Sequence, residues 1–97
     1  MEYQVRRYRI SPGEMDRFVE LWREKVVPLR QRLGFTVHGA WVIEDSNDFV
    51  WIIGYEGPGG IAAGNEAYYA SEERKSMSPD PAGFIVEGTH DLARRVL

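Results

Sequence analysis

The run Phe49-Val50-Trp51-Ile52-Ile53-Gly54-Tyr55 constrains this chain more than any other segment, because it is strand-like and apolar on both of its sides. Side chains alternate between the faces of a strand, so Phe49, Trp51, Ile53 and Tyr55 share one side while Val50 and Ile52 share the other. An antiparallel sheet with one wet face alternates apolar with polar residues instead. Both faces of this strand therefore call for cover.

The remaining segments supply helices for one face only. Glu2 to Ile10, rich in Tyr, Val, Arg and Ile without helical spacing, reads as a first strand. Ser11-Pro12-Gly13-Glu14 has the makings of a helix start, with a capping hydroxyl, proline at the first helical position and glutamate three residues after the cap. Met15, Phe18, Val19, Trp22, Val26, Leu29 and Leu33 then recur at threes and fours as one stripe, and Gly34 closes the helix. Pro28 cannot donate to the carbonyl of Glu24 and should bend the last turns, while Arg30 and Arg32 sit near the negative end of the helix dipole.

Phe35 to Glu44 and Phe49 to Glu56 form a hairpin across Asp45-Ser46-Asn47-Asp48. Gly57-Pro58-Gly59-Gly60 stops it and lacks the Lys-Ser/Thr of a phosphate loop, so it reads as a flexible entrance loop. Ile61 to about Lys75 is a second helix, Ser78-Pro79-Asp80-Pro81 breaks it, and a last strand lies within Phe84 to Leu97. The order is strand, helix, strand, strand, helix, strand. That is an α+β, ferredoxin-like βαββαβ arrangement with an antiparallel sheet and both helices on one face. Residues 1–97 form one domain, and two copies packed through their open sheet faces would make a dimeric α/β barrel. In that arrangement Trp41, Trp51 and Tyr55 either wall a ligand chamber or fill a dimer core.

Composition narrows the function. A lone domain of 97 residues hides only about 60 to 65% of its unfolded surface, so a partner copy would help it. A net charge of −3 gives no footprint for nucleic acid or anionic lipid. Cysteine is absent, as a reducing cytoplasm permits, and no apolar run is long enough to span a bilayer. A cytoplasmic homodimer with a small-molecule ligand, and no nucleic-acid or membrane partner, is the expectation.

Gln4-Val5-Arg6-Arg7-Tyr8, then Pro12-Gly13, Gly39-Ala40-Trp41 and Trp51-Ile52-Ile53-Gly54-Tyr55, resemble the NIPSNAP group of dimeric α/β-barrel proteins over most of the chain. The resemblance implies a homodimeric barrel with a pocket between helices and sheet or in the lumen. Relatives use that framework for cofactor-independent oxygenation, polyketide cyclisation, isomerisation and haem handling. In the family pattern an acid precedes the first-strand Arg and Tyr, and Gln4 replaces it here; the pattern also has His where Trp51 stands and Trp where Ile53 stands. Those departures fall where polar pocket residues belong, so the fold offers a menu of activities without choosing one.

The residues suggest the following chemistry. Only His38 and His90 can transfer protons near neutral pH, and His38 is favoured because Gly39 beside it leaves room for a ligand; the alternative is a surface or structural histidine. Arg6 and Tyr8 share strand parity, and with Tyr55 they offer a cation and phenols to an enolate or carboxylate in a dry cavity, unless Arg6 pairs with an acid across the sheet. Gln4, Trp41, Trp51 and His90 complete the candidate ligand contacts. Tyr68 and Tyr69 are read as packing the second helix. Two distant histidines without cysteine give no metal-ligand spacing, so no metal and no cofactor are expected. The leading expectation is a cofactor-independent enzyme, of cyclase, isomerase or monooxygenase type, acting on an apolar or aromatic, polyketide-like molecule. His38 would be its acid and base group. The alternatives are a non-catalytic ligand-binding or assembly module and a haem-binding member, with a single histidine as axial ligand.

Overall fold

The first strand follows the alternation its residues allow. β1 (Glu2–Ile10) buries Gln4, Arg6, Tyr8 and Ile10 on one face and exposes Arg7 and Arg9 on the other. In the computed structural model, which describes residues 1–97, β1 lies inside a four-stranded antiparallel sheet of order β2-β3-β1-β4. Its neighbours are β2 (Thr36–Ile43), β3 (Asp48–Tyr55) and β4 (Ile85–Ala93). The register sets Tyr8 opposite Phe49, Arg6 opposite Trp51 and Gln4 opposite Ile53, so the buried sides of the two central strands form one face. Helices cover it. The ferredoxin-like α+β architecture read from the order of elements is the one observed.

The first helix begins later than its sequence suggests. Glu14 N–H donates to the Ser11 carbonyl at 3.1 Å, and Gly13 has φ +77°, so Ser11-Pro12-Gly13-Glu14 closes as a turn with proline then a left-handed glycine. The expected capping box does not form, and α1 starts at Met15 (Met15–Leu21). A π turn, Trp22–Val26, joins it to α2 (Val27–Arg32), which carries Pro28 in its first turn. The wider turn absorbs the residue that Pro28 would otherwise crowd. It also lessens the drift of residues four apart around the axis, so Phe18, Trp22, Val26 and Arg30 are all buried.

The second helical stretch is broken once. α3 (Gly60–Ala70) stops at Ser71, whose extended backbone and hydroxyl cap a short α4 (Glu72–Lys75). A 3₁₀ turn at Pro81–Phe84 leads into β4, which ends at Ala93. Just after Gly57 to Gly60, Glu2 Oε1 accepts from the Ile61 N–H at 2.7 Å and ties the start of α3 to β1. The core between sheet and helices is aromatic, with Tyr8, Phe18, Trp22, Phe49, Trp51 and Phe84 in edge or tilted contact.

The sheet's other face has no helix on it. Tyr3, Val5, Val50 and Ile52 are only half-buried there, and Trp41 is 54% exposed. A bulge in β2 decides which tryptophan is out: Val37 pairs with Ile53 and Gly39 with Ile52, so the extra residue flips the alternation and turns Ala40 inward and Trp41 outward. Trp41, Trp51 and Tyr55 therefore do not share a face, as the sequence reading had them. At one end of the open face Asp48, 3% exposed, takes Arg7 at 2.7 Å and Arg9 at 3.4 Å. No helix is long and apolar enough to cross a membrane.

Burial alone would raise the Asp48 pKa, but the hydrogen bond and charge of Arg7, with Arg9, outweigh it and hold the carboxyl below its usual value. A depressed folded pKa stabilises the fold above the unfolded pKa of about 3.9, and that stability fades as pH falls below it. We expect Asp48→Asn to lower the urea midpoint at pH 7 and the gap to wild type to close progressively below about pH 4; a gap that persists unchanged at pH 2.5 would contradict this account.

Candidate functional site

The chemistry gathers on the helix side of the sheet. β1 brings Arg6 and Tyr8, β3 brings Trp51, the α1–π–α2 helix brings Trp22 and Arg30, and α3 brings Tyr68 and Tyr69 to a cavity of about 110 Å³. Arg74 of α4, the 3₁₀ turn and Ile85 of β4 complete the wall. An engineered apolar cavity that holds benzene measures about 150 Å³, and the space here is smaller by about a quarter.

Arg6, 6% exposed, spends its donors on neutral oxygens. Nε donates to Tyr8 Oη at 2.7 Å, Nη1 to Gln4 Oε1 at 2.8 Å and Nη2 to Tyr69 Oη at 2.8 Å. Gln4, a neutral amide beside the guanidinium, therefore orients Arg6 without neutralising it. Burial works against the charge on Arg6, yet Tyr8 and Tyr69 outweigh it and hold its pKa above the ordinary arginine value.

Arg30 is the residue the sequence reading missed. Placed near the helix end as a partner of the dipole, it is instead 1% exposed, with Nη1 donating to Asn65 Oδ1 at 2.5 Å. Its guanidinium stacks 3.7 Å from the Tyr68 ring centroid and 4.6 Å from that of Phe35. Burial, then repulsion from Arg6, lowers its pKa, but a guanidinium stays charged at neutral pH. Neither Arg6 nor Arg30 forms an ion pair with any carboxylate. The signal was legible in principle: Arg30 continues the every-fourth-residue row of Phe18, Trp22 and Val26. Tyr68 and Tyr69, read as packing, are also part of this site. Burial, the largest influence on Tyr68, raises its pKa and keeps its phenol neutral despite Arg30 and Arg74 nearby.

The other nominated residues lie elsewhere. His38 is exposed on the open face of the sheet, with Nε2 2.8 Å from Thr36 Oγ1 and its ring 5.2 Å from that of Tyr3. It borders a shallow groove with Tyr3, Val5 and Ile52, across the sheet from Arg6. The room expected beside Gly39 is taken by the indole of Trp41, 2.6 Å from where a Cβ would stand. His90 pairs with Arg6 across the β1–β4 ladder but is exposed and lines none of the cavity. Tyr55 packs on Phe35 and against Gly64, outside the cavity wall. No group of three His, Cys, Asp or Glu side chains could hold a metal ion. Haem does not fit the cavity either: tyrosine is the only axial-ligand type on its wall, and the space is far smaller than a porphyrin.

A buried charge without a counter-ion is costly to the fold, and apolar replacements of buried ionic groups often stabilise. Arg30→Met should accordingly raise the unfolding free energy by about 1 kcal/mol or more in urea titration; a drop of that size would mean that the guanidinium is a structural strut.

Set beside known proteins, the chain matches the NIPSNAP family model over residues 3–94. It is similar to a NIPSNAP domain protein from Burkholderia xenovorans, with TM-score 0.84 and 17% identity over 99% of this chain and 95% of that one. A NIPSNAP family protein from Agrobacterium tumefaciens superposes with TM-score 0.86 and 16% identity over 98% and 92%. An antibiotic biosynthesis monooxygenase gives TM-score 0.69 and 24% identity over the whole of both chains. At such identities the likeness is one of fold. No curated protein matches the chain.

Proposed function

The chain belongs to the NIPSNAP family, and from that premise we propose that it is a small-molecule enzyme working without a cofactor on an aromatic molecule held between sheet and helices. The reaction class is proton transfer, cyclisation or isomerisation. One observation carries the reading: Arg6 is buried, fixed by Gln4, Tyr8 and Tyr69, and free of any carboxylate. A fixed cation in a dry site stabilises negative charge that develops on a substrate oxygen, without reorganising as the charge appears. Tyr8 and Tyr68 are the phenols of this wall that would lend a proton, and Trp22 and Trp51 supply the ring walls.

Two other readings have support. The cavity wall contains no histidine or carboxylate, which favours a module that binds and releases its ligand unchanged. The whole-chain likeness to an antibiotic biosynthesis monooxygenase favours an oxygen-using member. Native mass spectrometry of gently purified protein distinguishes them by identifying the co-purifying molecule. We expect Arg6→Met to lose that molecule and His38→Ala to retain it, because His38 lies across the sheet. Conversion of the identified molecule on incubation, with or without oxygen, then separates enzyme, monooxygenase and binder. Turnover abolished in His38→Ala would return the acid and base role to that histidine.

In this reading the protein works as a cytoplasmic homodimer whose second copy covers the open sheet face. Tyr3, Val5, Trp41, Val50 and Ile52 are the apolar groups offered there. Sedimentation at micromolar concentration should give twice the chain mass. Ile52→Glu should give the single-chain mass, since an ionised carboxylate resists burial at such a face; a wild-type protein sedimenting as one chain would remove the dimer.

A further inference from the structure

Tyr69 Oη is the one atom on which both buried guanidiniums converge. Nη2 of Arg6 donates to it at 2.8 Å from the sheet, and Nη2 of Arg30 at a longer 3.5 Å from the helical layer. The two donors are thus aimed at a point that already holds an oxygen. Neither arginine meets a carboxylate, and after burial it is repulsion from Arg6 that most lowers the Arg30 pKa. A phenol oxygen accepts from both and cancels neither charge.

Tyr69 is also the ring of this wall best placed to leave it. It is 44% exposed, whereas Tyr8, Phe18, Trp22, Trp51 and Tyr68 are all buried. It is the last residue but one of α3, and the chain leaves the helix at Ser71. Apart from the two hydrogen bonds, its ring rests edge-on against Tyr68 at 5.0 Å and beside the guanidiniums of Arg30 and Arg74 at 5.5 and 5.6 Å. Contacts of that kind are weak where water reaches them. With Tyr69 in place the cavity measures about 110 Å³, and a ring turned to solvent adds its own space to that volume.

Resting on the reading of this cavity as a ligand site, we propose that Tyr69 Oη holds the place of a ligand's anionic oxygen: a small organic oxyanion displaces the phenol, accepts from Nη2 of Arg6 and of Arg30, and leaves Tyr69 turned outward. An ionised acceptor makes shorter and roughly twice as strong hydrogen bonds to a guanidinium as a neutral one, so the exchange is favourable at both donors. Arg74, the third cation of the wall, is held by Asp80 at 3.1 Å and takes no part.

The test is an NMR titration of the full-length protein with acetate, with its neutral isostere acetamide and with inorganic phosphate. Tyr69→Phe removes the competing oxygen while keeping the ring, and should bind acetate about tenfold or more tighter than wild type does, with acetamide unchanged. Adding Arg30→Met to that variant should cancel the gain. In wild type at saturating acetate, the ring-to-ring NOE between Tyr68 and Tyr69 should vanish; its persistence would rule out displacement. Equal acetate affinity with and without the phenol oxygen, or an equal gain for acetamide, would overturn the proposal. Phosphate matching acetate would overturn its organic half. If acetate binds neither protein while a co-purifying molecule is still lost in Arg6→Met, the oxyanion falls and the ligand site stands; if no molecule depends on Arg6, both fall.

Discussion

Two guanidiniums inside one small aromatic core are the constraint around which this fold is organised. Elsewhere in the molecule arginines meet carboxylates: Arg7 and Arg9 share Asp48, and Arg32 meets Glu73. Between sheet and helices the solution is different. Arg6 is held by an amide and two phenols, and Arg30 by an amide and ring faces, so position is fixed while charge is left in place. Such groups weaken a fold relative to apolar ones of the same size, and their retention fits a site whose demands differ from those of stability.

The two faces of the sheet divide the chemistry. One is covered by the protein's own helices and holds the arginines, the phenols and two tryptophans; the other carries Trp41, a few aliphatic residues, His38 and the Arg7–Asp48–Arg9 cluster. His38 and the fixed positive charge of Arg6 and Arg30 thus sit on opposite sides of a single layer of backbone, while His90, opposite Arg6 on β4, is exposed and lines none of the cavity. No residue of the cavity wall can reach His38 without crossing the sheet.

How far the sequence was readable depended on the kind of information each residue carried. β3 announced itself because a short run of apolar and aromatic residues bounded by Asp45-Ser46-Asn47-Asp48 and Gly57-Pro58 reads as a strand from residue type alone. Pro12-Gly13 misled because the same pair opens helices and closes turns, and the positive φ of Gly13 selects the turn. Arg6 and Tyr8 were found because parity on one strand is local information. Arg30 was missed because an arginine near a helix end is ordinarily solvated, and only its phase relative to Trp22 and Val26 reveals that it faces inward. The placement of His38 and Trp41 hung on a one-residue bulge, which no alternation rule anticipates.

The π turn at Trp22–Val26 has a consequence for how such a site can arise. Each residue advances an α-helix by about 100° around its axis, so one surplus residue rotates everything downstream by more than a quarter turn. Arg30 thereby faces the rings while Arg32, two positions on, stays in solvent with Glu73. Inserting or removing a single codon upstream of Val27 is enough to change which side chains of α2 look inward, leaving every residue type as it was. Chain length, as much as composition, selected the cation that points into this core.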